Sequence, residues 1–203
     1  MSGGGPPAAA PPGPIRTARL LLRAWRREDA ALLKEAVDAS LPELKRWMPW
    51  AASEPSPLGS FIERIEKFRR AFEEGRDWTY GVLDPDGTRA LGSAGLHARG
   101  EPGRLEIGYW IRSGETGKGL ATEVASALAG RAFDLHGVEA VEIRCDPLNV
   151  ASAAVPRRLG FRHVATLEGN ETGPDGSPRD TMVWVLERPA RAAALAAAPP
   201  GVK

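Results

Sequence analysis

The chain has 203 residues, 42% of them hydrophobic, with 27 basic against 26 acidic side chains. That length supports one sizeable core, and so even a balance of charge gives no field to draw nucleic acid or an anionic membrane. A single cysteine, Cys145, excludes an internal disulfide, and with three histidines it makes no metal-ligand spacing, so no metal is expected and a reducing cytoplasm is the expected compartment.

Residues 1–14 and 189–203 are dominated by Gly, Pro and Ala, which cannot bury enough side chain to offset the entropy of ordering. Both ends are expected to be disordered. The first has neither the basic n-region nor the apolar h-region of a signal peptide, and no run of apolar residues is long enough to span a bilayer. One folded domain over 15–188 is therefore expected.

Within it, TARLLLR (17–23) reads as a strand. REDAALLKEAVDAS (27–40) reads as a helix whose first turn carries Glu28 and Asp29, where the dipole favours acids. ELKRWMPWA brings Trp47 and Trp50 together in a proline-containing loop or short helix. In 57–75 the spacing of Phe61, Ile65, Phe68 and Phe72 predicts a helix packed on the core, closed by Gly75. Strands follow at 77–87, which runs into a Pro-Asp-Gly turn, at 90–98 and at 104–112, a meander. A helix over 120–137 and a strand over 140–145 then form a crossover. Pro156 falls in a short helix over 149–161, and strands near 163–168 and 181–187 complete a mixed α/β fold with a largely antiparallel sheet flanked by helices. The segments 41–60 and 169–180 carry the least pattern.

GETGKGLAT (114–122) places a glycine turn before the 120–137 helix. It is no Walker loop, because position 112 is Arg and Gly117-Lys118 is followed by Gly119. It is no dinucleotide fingerprint either, because the series runs to Thr122 and does not follow the opening strand of a βαβ unit. What remains is a turn whose amides converge at a helix N-terminus and can bind an anion.

The series EIGYWI, TGKGLAT, VEIRCDPLNVAS and RRLGF resembles the GNAT superfamily of acyl-coenzyme A N-acyltransferases, and within it the Rim-type ribosomal-protein alanine N-acetyltransferases. The likeness spans 15–187 and is most specific over 104–161. It implies the GNAT fold and transfer of acetyl from acetyl-coenzyme A to a primary amine, most closely the α-amine of a protein or peptide N-terminus. A small amine is an alternative acceptor, a non-catalytic acyl-coenzyme A module is another, and a homodimer stays open.

The family's pyrophosphate loop carries over onto Thr116, Gly117, Lys118, Gly119, Leu120 and Ala121, with Thr122 completing the helix start; Thr116 stands where the family has a longer Gln or Arg. Glu106, between Leu105 and Ile107, matches the glutamate assigned as base, with ordering the sheet or the acceptor as the structural alternative. Pro156 stands at the place of the tyrosine that many members use to protonate the thiolate. Ser152 is the remaining hydroxyl and becomes the acid, with helix capping as its alternative. The resemblance sets Asn149 on the pantetheine arm, although it too may cap, and puts Trp110 and Ile111 beside the cofactor through their main chain. The rings of Trp110 and Tyr109 are expected in the core. Trp47 and Trp50 are expected over the acceptor groove, as a wall for peptide or planar ligand or as lid packing. His97, His136 and His163 read as surface or strand-end residues away from the chemistry.

Overall fold

The computed structural model describes residues 13–188 apart from 100, 174 and 175. Except for residues 13 and 14, the two Gly/Pro/Ala-rich ends lie outside the described residues. The strand expected over 17–23 is split into β1 (Ile15–Arg16) and β2 (Leu21–Ala24). The cause is a turn at 17–20, where the Thr17 amide donates to the Leu20 carbonyl at 3.0 Å and the Leu20 amide to the Thr17 hydroxyl at 3.0 Å.

The expected helix over 27–40 begins as a 3₁₀ turn, Arg27–Asp29, before α1 (Ala30–Asp38). Glu28 and Asp29 do stand in the first turn, and Asp29 does more there than meet the dipole. It is buried, accepts two bonds from the Arg23 guanidinium at 2.5 and 2.9 Å, and accepts the Arg26 amide at 2.8 Å. Burial works against its charge, but these hydrogen bonds overcome it and hold the carboxyl below the ordinary range.

The Trp47 segment folds as α2 (Leu41–Trp47) and a 3₁₀ turn, Pro49–Ser53. In α3 (Leu58–Glu73) Phe61, Ile65 and Phe72 are buried, as the periodicity requires. The meander is β3 (Asp77–Leu83), β4 (Ala90–His97) and β5 (Arg104–Ile111). Next come α4 (Leu120–Phe133), β6 (Ala140–Cys145) and α5 (Val150–Arg158). The last hairpin, β7 (Arg162–Thr172) with β8 (Pro178–Glu187), takes in most of the segment that looked unpatterned. Helix α4 stops at Phe133 rather than 137, and Arg188 donates to the carbonyls of Phe133, Leu135 and Val138 at 2.6, 3.1 and 2.8 Å. One side chain thus satisfies groups that a helix end leaves open.

The eight strands form one sheet in the order β1-β2-β3-β4-β5-β6-β8-β7. Only β5 and β6 run parallel, the pair that needs a helical crossover. Helices α4 and α5 cover one face, with Val124, Leu128, Leu105 and Ile107 in their core. Helices α1 and α3 cover the other, with Leu33, Phe61, Ile65 and Trp25.

Replacing Asp29 by Ala would leave the Arg23 guanidinium buried without its partner, a loss of about 3–5 kcal/mol. Denaturant unfolding should show it as a fall in midpoint. Because the folded carboxyl titrates below its unfolded value of about 3.9, the contribution is complete above that pH and is lost as pH falls through the folded value.

Candidate active site

Pairing between β5 and β6 stops after Arg104↔Ala140, Leu105↔Val141 and Glu106↔Glu142. Strand β5 continues to Ile111 against β4, and β6 continues to Cys145 against β8. The two edges therefore part, and the β5 edge that carries Trp110 and Ile111 is left facing the gap.

On the α1/α3 face, alternation along β5 aligns Glu106, Gly108 and Trp110. All three line a groove of about 520 Å³ with Trp47, Trp50 and Phe68. A second groove, of about 730 Å³, shares Glu106, Trp47, Arg144 and Asp146 with the first and runs on to Glu171 and Arg179 of the last hairpin. Glu106 stands where the two meet. Its carboxylate is 18% exposed, with Oε2 3.9 Å from Arg144 Nε. Arg144 is already engaged, donating to buried Glu142 at 2.8 Å.

Trp50 is exposed, tilted 50° to the Trp110 ring at 6.4 Å, and covered by the Arg64 guanidinium at 5.4 Å. Arg64 is held in turn by the buried carboxylate of Glu54. Trp47 lies between the guanidinium groups of Arg46 and Arg179, at 4.7 and 5.7 Å. The Trp110 ring packs against the α1/α3 core, as expected, while one side lines the groove.

On the α4/α5 face, Asn149 is the N-cap of α5, and its Oδ1 accepts the Ser152 amide at 3.0 Å. Ser152 is therefore not the cap, and its hydroxyl is free for other partners. It lies 3.3 Å from the Tyr109 hydroxyl, at the gap, beside the buried thiol of Cys145. Burial raises that thiol above its ordinary range, against the Ser152 hydrogen bond. Pro156 does not sit in the first turn, where proline is harmless, but in the second. Having no N–H, it cannot bond the Ser152 carbonyl four residues back, and the Tyr109 hydroxyl donates to that carbonyl at 3.3 Å. Tyr109 is thus more than a core ring. Its burial pushes the phenol well above its ordinary range despite the Ser152 hydrogen bond, so it stays a donor.

The glycine turn leads into α4 with Gly117 at φ 76° and Gly119 at φ 79°, the left-handed region where any Cβ is strained. Space above Gly117 is open for 4 Å. Arg19 holds the turn by donating to the Lys118 carbonyl at 2.8 Å, and Lys118 Nζ pairs with Glu115 at 2.7 Å. Thr116 turns its hydroxyl onto the Ser113 carbonyl at 2.9 Å. Leu120 is buried and Ala121 packs against the core, so what these two and Thr122 present is the free amides of a first helical turn. Open space, left-handed glycines and a helix dipole fit a pyrophosphate.

His97 departs from expectation. It ends β4 but faces the groove, with Nδ1 2.6 Å from Asp77 Oδ1. Only the strand register could have revealed this. His136 is exposed, and the exposed His163 packs at 4.9 Å from the Trp184 ring, both as expected. Among the described residues no cluster of three or more His, Cys, Asp or Glu could hold a metal, and no helix is long and apolar enough to cross a membrane.

A family model described as an acetyltransferase (GNAT) domain matches residues 19–162. The chain belongs to the GNAT acetyltransferase family. It is similar to YoaA of Bacillus subtilis, a protein called an uncharacterized N-acetyltransferase, with 28% identity over 178 residues, covering 86% of this chain and 97% of that protein. The fold matches RimL, a ribosomal L7/L12 alpha-N-protein acetyltransferase in complex with coenzyme A, with TM-score 0.78 at 20% identity over 86% of this chain and 97% of that one. RimJ of Mycobacterium smegmatis, in complex with CoA-disulfide, matches with TM-score 0.75 at 26% identity over 90% of each chain. The acetyltransferase is thus Rim-like in fold, and the splay, glycine turn and Glu106 lie within the matched span.

The Tyr109–Pro156 arrangement makes a double-mutant prediction. Tyr109→Phe should cost about 1–3 kcal/mol by stranding the Ser152 carbonyl. In a Pro156→Ala background the helix supplies its own N–H, and the same change should cost about 1 kcal/mol less. Chemical denaturation of the four variants measures the coupling.

Proposed function

We propose that this acetyltransferase takes acetyl from acetyl-coenzyme A and delivers it to the primary α-amine of a protein or peptide N-terminus. The observation that carries the acceptor is the pair of grooves meeting at Glu106. One runs under Trp50 and Trp110, the other out between Trp47 and the β7–β8 hairpin, a length suited to an extended chain entering by its end. The solved Rim proteins, which act on or are named for ribosomal proteins, support the same reading.

The donor supplies an acetyl thioester. The amides of Gly117 to Thr122 bind its pyrophosphate, assisted by the α4 dipole, with Lys118 at the rim. The open β5 edge at Trp110 and Ile111 pairs with the amides of the pantetheine arm as an added strand would, and the amide nitrogen of Asn149, not used in capping, lies at the opposite lip of the gap.

Glu106 accepts a proton from the acceptor nitrogen, directly or through water. Arg144 at 3.9 Å steadies its charge without closing a tight ion pair over it. Ser152 stabilises the departing thiolate by hydrogen bonding. Tyr109, within 3.3 Å of both the Ser152 hydroxyl and the Ser152 carbonyl, fixes the position of the serine oxygen beside the gap.

Glu106→Gln should lower kcat by about 10²- to 10⁴-fold while leaving coenzyme A affinity, read by calorimetry, near wild type. Gly119→Asp should do the reverse in order of effect, weakening coenzyme A through bulk and negative charge in the turn. Mass spectrometry across a panel of peptides and small amines tests the acceptor. Transfer confined to small amines would overturn the peptide reading, and an affinity unmoved by Gly119→Asp would overturn the assignment of the turn.

A further inference from the structure

Register pairs Asp77 with His97, His97 with Glu106, and Glu106 with Glu142. Four ionisable residues therefore cross four neighbouring strands on one rung, and directly paired residues share a face. Within the row, His97 and Asp77 are in contact, at 2.6 Å, and their side chains are 14% and 32% exposed. With Nδ1 against the Asp77 carboxylate, that nitrogen carries the ring hydrogen and Nε2 keeps its lone pair.

The space that Nε2 enters is cleared by two glycines. A Cβ at Gly95 would stand 2.7 Å from both Cε1 and Nε2, and one at Gly108 would stand 3.1 Å from Nε2. Gly108 is two residues beyond Glu106 on the same face of β5, so the imidazole lies over the sheet toward the Glu106 side of the groove. Besides Glu106, the other charged groups lining this groove are Arg99, Arg64 from α3, Arg144 from β6 and Asp146, the last paired with Arg179 at 3.0 Å. Arg99 reaches Asp77 only at 4.0 Å, Arg64 is paired with Glu54, and Arg144 with Glu142. Helix α1 contributes only Leu33 and Val37. Among the described residues, none of these guanidinium groups is paired with the imidazole.

We propose that His97, oriented by Asp77, takes the first proton from the incoming ammonium, so that Glu106 handles only the second. This rests on the acetyltransferase reading above and deepens it. An amine reaches neutral water largely as ammonium, and becoming an amide costs it two protons. In the first step an N–H bond of the ammonium breaks, its electron pair stays on nitrogen, and the proton binds Nε2; the hydrogen on Nδ1 remains with Asp77. The imidazolium later returns its proton to water through the open groove. The second proton leaves toward Glu106 as the amide forms, and one proton ends on the thiolate sulfur, so each turnover releases one net proton. Imidazole exchanges protons in the pH range where an α-ammonium does, whereas a lysine ammonium is far more basic. The pairing therefore favours an N-terminal amine over a lysine side chain.

The test compares wild type with His97→Gln, which can still donate to Asp77, by kcat/KM for an α-amine peptide across the range from about pH 6.5 to about pH 9. The variant should be slower by about 10²-fold at the acid end, and the deficit should shrink toward alkaline pH as solution supplies neutral amine without help. A purely structural role would depress the rate by one factor throughout. Asp77→Asn should give the same pH trend with a smaller loss. Independently of turnover, nitrogen-15 NMR of the imidazole should show the hydrogen on Nδ1 and Nε2 unprotonated at alkaline pH. A pH-independent deficit, a wild-type rate in His97→Gln, or a ring with its hydrogen on Nε2 overturns the proposal. If Glu106→Gln is crippled while His97→Gln is not, only this inference falls; if the wild-type protein acetylates no amine, the reading beneath it falls too.

Discussion

The molecule is organised by the early parting of its one parallel strand pair. Pairing of β5 with β6 ends at Glu106↔Glu142, yet both strands continue, each held on its outer side by an antiparallel neighbour. An open edge inside a sheet leaves backbone donors and acceptors without partners. The tryptophan-lined groove accordingly reaches Tyr109, Ser152 and Cys145, which line it as well. Parallel pairing forces a crossover, so the segments after β5 and after β6 leave at the same end, and each starts a helix there. Two helix N-termini consequently flank the gap, one with a glycine turn open to an anion and the other capped by Asn149.

Along the paired rung, a chain with almost no net charge concentrates its polarity. Glu142 is 1% exposed, and a carboxylate so deep persists only with partners. Arg144 supplies one at 2.8 Å and Arg104 another at 3.7 Å. Arg144 therefore commits its Nε to Glu142, and Glu106, next in the row, has that nitrogen only at 3.9 Å. The buried carboxylate fixes the guanidinium, and the fixed guanidinium leaves the neighbouring carboxylate at the groove junction stabilised yet accessible to a substrate.

Much of this was legible from residue order. Periodicity located α3, α4 and the meander, and the glycine turn stood out because left-handed φ values at Gly117 and Gly119 demand that residue. What stayed hidden depends on contacts distant in sequence. With Ser152 as the cap, Pro156 would fall in the first turn, but Asn149 is the cap, and Tyr109, which compensates for the lost N–H, lies 43 residues from Ser152 in the chain. Asp29 resembles a helix-start acid because its partner Arg23 sits on a strand, and no local pattern links the two. His97 looks like a strand end because it is one; its place in the groove depends on which residues of β3 and β5 lie opposite it.

The two ends of the site also differ in how they can be written in sequence. In the function proposed above, the cofactor side uses backbone amides and a strand edge, and backbone geometry constrains residue type directly, through glycine where φ is positive and through a helix start where a dipole is needed. The acceptor side is built from rim side chains on α2, the following 3₁₀ turn and the last hairpin. Trp50 is 39% exposed there, steadied by Arg64 and, behind it, buried Glu54, while Trp47 is held between two guanidinium groups. None of these residues needs a fixed period, because none has to fill a core. Such a rim can change residue by residue without disturbing the sheet, provided the Glu54–Arg64 pair that props Trp50 is kept, so the rim proposed to meet the acceptor is the part of the fold under the weakest folding constraint.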